Sequence, residues 1–257
     1  MEKLLSNRLN VQSLPESYIL PPEKRPNIVP KYATIPVIDL GKVSRDGKAI
    51  VDEIINTSTK FGFFQVINHG VPETMIKDMR GVAEEFFEMP IEDRMPMFSE
   101  GPKRVSRLYS SIDYDNEETH YWRDVLRHPY YPVESFKHLW PSKPASYRKA
   151  AATYSMVLRD LGLLLLELIA EGLGVGSSYF EEELSKIQLL GINQYPPCPD
   201  PTLTLGLPKH SDPNLLTLLL QGDVSGLQVL NEGEWIAVEP LPSAFTINLG
   251  HLLQVNF

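Results

Sequence analysis

From Ile187 onward the chain is divided into short apolar segments that proline and glycine separate, and this feature constrains the fold most. The residues before Ile187 show helical periodicity instead, most clearly in a helix predicted from about Ser146 to Glu171 that ends at Gly172. Helices followed by a run of short strands predict an α+β protein with an all-β core, either a sandwich or a jelly roll. The predicted strands of this core span 187–195, 203–207, 215–221, 227–230, 235–238 and 244–249.

The first part of the chain predicts further helices and strands. Pro72 stands where a helix would begin, a position at which its missing N–H costs nothing, and the helical periodicity continues to Phe87. The proline-rich residues 1–33 predict an irregular or partly helical arm, and residues 99–144 predict loops that are rich in aromatic side chains. The other predicted elements are strands at 35–40 and 63–68, helices at 47–61 and 179–184, and a helical turn at 90–94.

Length and charge exclude some classes of function. A chain of 257 residues is long enough for one large domain or two small ones. Its net charge of -9 and its pI near 5.2 argue against a surface for nucleic acid or anionic membranes, because such surfaces need clustered lysine and arginine. We therefore expect a small-molecule substrate and neither nucleic acid nor a membrane as a partner.

The sequence also predicts a compartment. Cys198 is the only cysteine, which excludes an internal disulfide and suits a reducing environment. The first residues lack the apolar segment of a secretory signal. The strongest apolar run, Leu161–Ile169, is too short to span a bilayer and includes Glu167. We expect a cytoplasmic protein that is a monomer.

The triplet His210-Ser211-Asp212 is the strongest candidate for a chemical site. In an extended segment residues i and i+2 point the same way, so the imidazole of His210 and the carboxylate of Asp212 can face one point. An imidazole and a carboxylate are two of the three ligands in the 2-His-1-carboxylate triad that binds iron(II). The alternative, an incidental surface triplet, is weakened by the apolar, strand-like segments on both sides.

The other histidines and the cysteine predict structural roles. His251 is the only histidine after His210, and we interpret it as a turn residue rather than a ligand. His69 is interpreted as a cap of a strand-to-helix turn, and Cys198 as a small buried apolar residue. The remaining histidines, in the region of predicted loops, are expected at the surface: His120, His128 and His138.

Several motifs appear in an order that is typical of one family. They are Phe61–Val71, Glu85–Pro90, Tyr121–Asp124, Trp140-Pro141, Asn193–Cys198 and His210–Asp212. In these motifs the chain resembles the plant iron(II)/2-oxoglutarate-dependent dioxygenases, and the resemblance extends from about Ile35 to Val255.

The resemblance implies a fold, cofactors and a reaction. It implies N-terminal helices packed on a double-stranded β-helix (jelly-roll) core, with residues 1–186 as the helical region and 187–257 as the first part of the jelly roll. It implies iron(II) bound by His210 and Asp212, with 2-oxoglutarate near Asn193 and Tyr195 and O2 as the oxidant. The expected function is hydroxylation or another oxidation of a small specialised metabolite. Core hydrogen bonding remains an alternative for Asn193 and Tyr195, which share one strand face by their spacing.

The resemblance also implies groups that the sequence does not contain. The family's second histidine ligand and its Arg-x-Ser motif, whose arginine binds the far carboxylate of 2-oxoglutarate, would lie beyond residue 257. We therefore expect a C-terminally truncated chain with an incomplete jelly roll and an unidentified third metal ligand. Whether such a chain is an active enzyme is left open, and the alternative is a non-catalytic remnant or interaction fragment.

Overall fold

A computed structural model describes residues 3–7, 11–26, 35–101, 103–111, 114–181 and 183–255. The helices are α1 (Val43–Phe61), α2 (Glu73–Glu88), α3 (Ile91–Arg94), α4 (Val133–Phe136), α5 (Tyr147–Gly172) and α6 (His251–Gln254). The strands are β1 (Val37–Asp39), β2 (Phe63–Ile67), β3 (Arg107–Tyr109), β4 (Asp124–Tyr131), β5 (Gln188–Gln194), β6 (Leu216–Leu220), β7 (Gln228–Asn231), β8 (Glu234–Ala237) and β9 (Phe245–Leu249).

Most predicted helices and strands are confirmed, and the local sequence explains where they begin and end. Helix α1 has non-helical backbone angles at Asp46, so its regular part begins where the periodicity predicts it. The helix ends at Gly62, whose φ of 68° lies in the left-handed region and whose N–H donates to Ser58 O. Of the proline-rich arm, the described residues form short 3-10 turns, and residues 27–33 lie outside the described part.

Three predictions of secondary structure were wrong. Residues 203–207 form no strand, although the carbonyls of Leu203 and Leu205 accept backbone hydrogen bonds from Leu20 and Trp122. The described residues of 179–184 form turns instead of a helix. Tyr179 and Leu184 are 54% and 53% exposed, and the burial of Phe180 alone does not stabilise so short a helix. The region predicted as loops contains strands β3 and β4.

The chain forms two compact units, each assembled from separate stretches of sequence. The first unit comprises residues 1–27, 77–155 and 187–209, and it contains the three-stranded sheet β3-β4-β5. The second unit comprises residues 28–76, 156–186 and 210–257, and it contains the four-stranded sheet β1-β2-β9-β6 and the hairpin β7-β8.

The four-stranded sheet of the second unit is mixed. Strands β1 and β2 pair in parallel, whereas β2–β9 and β9–β6 are antiparallel. The side chains of Phe64, Val66 and Ile247 are fully buried, and Phe64 lies opposite Ile247 in the register. The hairpin β7-β8 turns at Glu232 and Gly233, both with positive φ, as a tight two-residue turn requires.

Unit one contains a buried polar network that fixes the start of the described chain. The carboxylate of Asp124 is fully buried and accepts hydrogen bonds from the backbone N–H groups of Leu5 and Ser6 at 3.0 and 2.7 Å. Arg94, also buried, donates to Ser6 Oγ at 2.5 Å. Because a buried charge without partners is very costly, these bonds hold residues 5–7 against β4.

The structure corrects two of the predicted surface histidines. His120 is only 6% exposed, and its ring stacks on Tyr114 at 3.7 Å between centroids. His128 is fully buried in β4, where its Nε2 lies 2.8 Å from the hydroxyl of Tyr147. Both were misplaced because residues 99–144 were predicted as loops, whereas His128 is part of β4 and His120 lies in the segment between β3 and β4. His138 is exposed, as predicted.

Candidate active site

His210 and Asp212 lie in the extended segment that leads into β6, in the second unit. Their side chains converge, with Nε2 of His210 3.6 Å from Oδ1 of Asp212. His210 is about half exposed and the carboxylate of Asp212 is partly buried. The predicted juxtaposition of the two groups is thus present in the structure.

The second oxygen of the Asp212 carboxylate is held by two side chains of the sheet. Thr217 Oγ1 donates to Asp212 Oδ2 at 2.5 Å, and Asn248 Nδ2 donates to the same oxygen at 2.9 Å. Thr217 and Asn248 are direct partners in the β6–β9 register, so one cross-strand pair supplies both bonds. The carboxylate is therefore fixed through Oδ2, and Oδ1 is presented toward His210.

Backbone contacts fix the same segment from its other side. The N–H of His251 donates to Asp212 O at 2.8 Å, and that of Leu252 donates to Asn214 O at 3.2 Å. Gly250 permits this approach, since a Cβ at that position would lie 2.0 Å from Asn214 O. The start of α6 thus closes over the segment that carries the candidate ligands.

His251 lies close to this segment, but its side chain has other partners. Its Nε2 is 2.7 Å from Ser211 Oγ, and its Nδ1 is 3.2 Å from Gln254 Oε1. Instead of a turn residue it is the first residue of α6. Among the residues that the structure describes, no histidine, cysteine, aspartate or glutamate joins His210 and Asp212 in a group of three.

These residues fit a divalent iron in the kind and placement of their donors. A first-row metal ion bonded at roughly 2.1 Å to each of two donors requires them to lie within about 4.2 Å of each other, which the 3.6 Å separation satisfies. The hydrogen bonds to Asp212 Oδ2 are of the kind that orients a carboxylate when it ligates a metal. The pair has the donor groups that the carboxylate and one imidazole of a 2-His-1-carboxylate site require.

Asn193 and Tyr195 lie in the first unit, at the end of β5. Alternate residues of this strand are exposed, so Asn193 and Tyr195 share one face, as their spacing predicts. Tyr195 is 50% exposed, and its ring lies against Gly206, where a Cβ would come within 2.6 Å of the ring. Both side chains are accessible, which disfavours the alternative of core hydrogen bonding.

Arg123 is a neighbour of this pair to which the sequence motif assigned no role. Its Nη1 donates to Asn193 Oδ1 at 3.0 Å. Because the amide oxygen of Asn193 accepts this bond, the NH2 group is what the side chain offers to a further partner, as a donor. The adjacent Trp122 is buried and donates from Nε1 to Pro196 O at 2.9 Å, which fixes the proline-rich turn after Tyr195.

Two residues with predicted structural roles occupy the expected positions. His69 Nδ1 accepts from Val71 N–H at 3.1 Å and its Nε2 lies 2.7 Å from Ser243 O, so it caps the turn after β2 as predicted. Cys198 is partly buried and packs against the cluster of Leu5, Tyr18 and Trp122. Burial raises the pKa of its thiol, which disfavours a reactive thiolate.

Two family models match the chain. One, described as the 2OG-Fe(II) oxygenase superfamily, matches residues 186–256. The other, described as the N-terminal region of non-haem dioxygenases in morphine synthesis, matches residues 35–143. The four candidate site residues, Asn193, Tyr195, His210 and Asp212, all lie within the first match.

Curated relatives match nearly the whole chain. The protein DOWNY MILDEW RESISTANCE 6 of Arabidopsis thaliana is 43% identical over 256 residues, which are 98% of this chain and 74% of that protein. Flavanone 3-dioxygenase 2 of Oryza sativa subsp. japonica has the same identity and coverage. Hyoscyamine 6-dioxygenase of Hyoscyamus niger is 40% identical, with 96% of this chain and 74% of that protein aligned.

Solved structures extend the match to the fold. The crystal structure of JOX2 in complex with 2OG, Fe and JA superposes with a TM-score of 0.85 at 33% identity, covering 98% of this chain and 73% of that one. The complex of AtDAO1 from Arabidopsis thaliana with 2-oxoglutarate superposes with a TM-score of 0.74 at 25% identity. The superposition covers 86% of this chain and 81% of that one. Because these neighbours have a jelly-roll core, the predicted α+β class with such a core is confirmed.

Proposed function

Because the chain belongs to the 2OG-Fe(II) oxygenase superfamily, whose enzymes use iron(II), 2-oxoglutarate and O2, we propose that it oxidises a small specialised metabolite, by hydroxylation or a related reaction. The observation that carries this proposal is the convergence of His210 Nε2 and Asp212 Oδ1 at 3.6 Å, with Asp212 Oδ2 held by Thr217 and Asn248. When bound, iron(II) and 2-oxoglutarate supply the activation of O2 that oxidises a C–H bond.

In this proposal each residue has a defined task. His210 and Asp212 bind the metal, and the two bonds to Oδ2 keep the carboxylate to one ligating oxygen. The hydroxyl of Tyr195 and the NH2 of Asn193 donate hydrogen bonds to 2-oxoglutarate. Arg123 orients Asn193 by occupying its amide oxygen, so that the amide presents donors to an anion.

Cobalt(II) titration followed by visible absorption tests the metal site. We expect His210→Ala and Asp212→Ala each to weaken binding at least tenfold, while His138→Ala, which removes an exposed histidine of the first unit, leaves it unchanged. Stoichiometric cobalt binding that survives the double variant would refute the assignment. Formation of succinate from 2-oxoglutarate with iron(II) is the separate test of turnover by this chain, and its absence with bound metal would favour a non-catalytic role.

The proposal extends to the domain organisation, the compartment and the oligomeric state of the protein. A division at residue 186 into an N-terminal dioxygenase region and an oxygenase domain is supported by the limits of the two family matches. None of the helices in the described ranges combines the length and apolar character of a membrane span. A cytoplasmic monomer without nucleic-acid or membrane partners agrees with the net charge of -9 and the single cysteine, and sedimentation analysis tests the monomer.

A further inference from the structure

One face of the β3-β4-β5 sheet is cationic. In the register Arg107 lies opposite Arg127, and Arg127 lies opposite Gly191, so these positions form a row across the three strands on one face. Asp124, the acidic residue of β4, lies on the other face, where it is buried against the N-terminal segment. The strand positions of the first face thus carry two arginines and no carboxylate.

The arginines on this side of the sheet differ in how far their charges are satisfied. Arg107 is buried, and its guanidinium lies 4.0 Å from the centroid of the Tyr109 ring. Arg123, just before β4, donates to Asn193, but its Nε is buried without a hydrogen-bond partner in the described part of the chain. Arg127 is exposed, and its guanidinium has no hydrogen bond or ion pair with any described residue. The guanidinium of Arg127 is therefore open to an anion, and that of Arg123 retains one N–H group without a partner among the described residues.

Open space adjoins Arg127. A Cβ built at Gly191, its cross-strand partner, would meet no atom within 4 Å. Leu189 and Tyr195 lie on the same face and are 49% and 50% exposed. The space is thus bordered by an arginine on one side and by apolar groups along the strand.

We infer that this face binds a small organic acid, with Arg127 and Arg123 binding its carboxylate and its apolar part lying over Gly191. Arginine binds carboxylates through paired N–H groups, which lysine does not reproduce. Because the chain has a net charge of -9, an anion needs such local donors to overcome the overall repulsion. The acid is the molecule that the enzyme oxidises, an assignment that rests on the function proposed above.

Binding of trans-cinnamate and of its uncharged amide, trans-cinnamamide, to the purified metal-free chain tests this inference. Titrations are followed by calorimetry and by the NMR shift of the Gly191 amide. We expect cinnamate to bind at least tenfold more tightly than the amide, a difference of about 1.4 kcal/mol. Arg127→Gln should abolish this difference, Arg127→Lys should retain part of it, and Gly191→Val should weaken both ligands by filling the open space.

Arg45→Gln, which removes an exposed arginine of α1, is the matched control and should leave both affinities unchanged. Equal binding of the acid and the amide, or a preference that persists in Arg127→Gln, would overturn the inference. Each variant is first shown to unfold at the same temperature as the parent chain. Gly191→Val is a second, independent test, because it fills the proposed binding space without changing a charge.

A competition experiment distinguishes the substrate from the co-substrate. With cobalt(II) added so that 2-oxoglutarate can bind, saturating 2-oxoglutarate should leave cinnamate binding unchanged if the face recognises the substrate. Displacement would assign these arginines to the co-substrate and overturn the substrate assignment. The cinnamate titrations themselves need neither metal nor turnover. They can therefore fail while His210 and Asp212 still bind cobalt, and cobalt binding can fail while cinnamate still binds.

Discussion

At the scale of single residues, the most consequential contact is the pair of hydrogen bonds to Asp212 Oδ2. Thr217→Val removes one of them without changing side-chain shape, and we expect cobalt(II) affinity to fall roughly 10- to 100-fold, as for other residues that orient a metal ligand. Thr246→Val is the matched control, because the Thr246 hydroxyl bonds Gln221 instead. Equal losses in the two variants would contradict a specific role for Thr217.

A second residue-scale prediction concerns Gly206. Alanine at this position would place a Cβ 2.6 Å from the Tyr195 ring, so the ring must move. We expect Gly206→Ala to weaken 2-oxoglutarate binding about tenfold, roughly 1.4 kcal/mol, with the fold intact. Gly222→Ala, in open space, is the control, and calorimetry in the presence of cobalt(II) is the measurement. Unchanged affinity would mean that the ring position of Tyr195 is not used.

In the candidate site, the residue pairs that are close in sequence could be predicted. His210 with Asp212, and Asn193 with Tyr195, are pairs at i and i+2, and the geometry of extended chain is enough to place each pair. Thr217 and Asn248 could not be predicted, because their meeting depends on the β6–β9 register between segments that are distant in sequence. Arg123 lies in the motif Tyr121–Asp124, yet its bond to Asn193 depends in the same way on the pairing of β4 with β5.

At the scale of elements, helix ends give the sharpest prediction. Gly62 ends α1 with a φ of 68°, so Gly62→Ala should lower the free energy of unfolding by about 1 kcal/mol through backbone strain. Gly81 lies exposed within α2 with open space at its Cβ position, so Gly81→Ala should raise that free energy by up to ~1 kcal/mol. Urea unfolding measures both, and changes of the same sign would contradict this account.

Elements were predicted well where burial agreed with periodicity, and poorly elsewhere. α5 and β9 were found within a residue or two because their apolar residues are buried at the expected spacing. β4 was missed because Pro129 lies within it and a register shift follows between Pro129 and Tyr131. A helix at 179–184 was predicted wrongly because only Phe180 is buried there, whereas Tyr179 and Leu184 are exposed.

At the scale of the whole molecule, His128 makes stability depend on pH. Burial lowers its pKa from 6.5 to about 4, since the charged ring would lose solvation beside Trp140 and Tyr147. The unfolded chain therefore binds the proton more tightly, and the stability present above pH 6.5 is lost as the pH falls toward 4. The contribution of this group is about 3 kcal/mol.

The measurement is the unfolding free energy between pH 7 and pH 4. In His128→Gln the free energy of unfolding should lose the part of its pH dependence that His128 contributes. The variant should also be less stable than the parent chain at pH 7. His138→Gln, at an exposed position, should keep the full slope of the parent chain. An unchanged slope in His128→Gln would show that the buried ring does not titrate in this range.

The pairing of β2 with β9 has a consequence for synthesis on the ribosome. Val66 lies opposite Phe245, so about 180 residues must be translated after β2 before its partner exists, which takes roughly 10 to 35 s at typical rates. During that interval one edge of the β1-β2 pair is unpaired and carries apolar side chains that are buried in the folded protein. Such an edge can pair with another chain and lead to aggregation. Slower growth at low temperature, or a chaperone that covers this edge, should therefore raise the yield of folded protein more than changes at the surface.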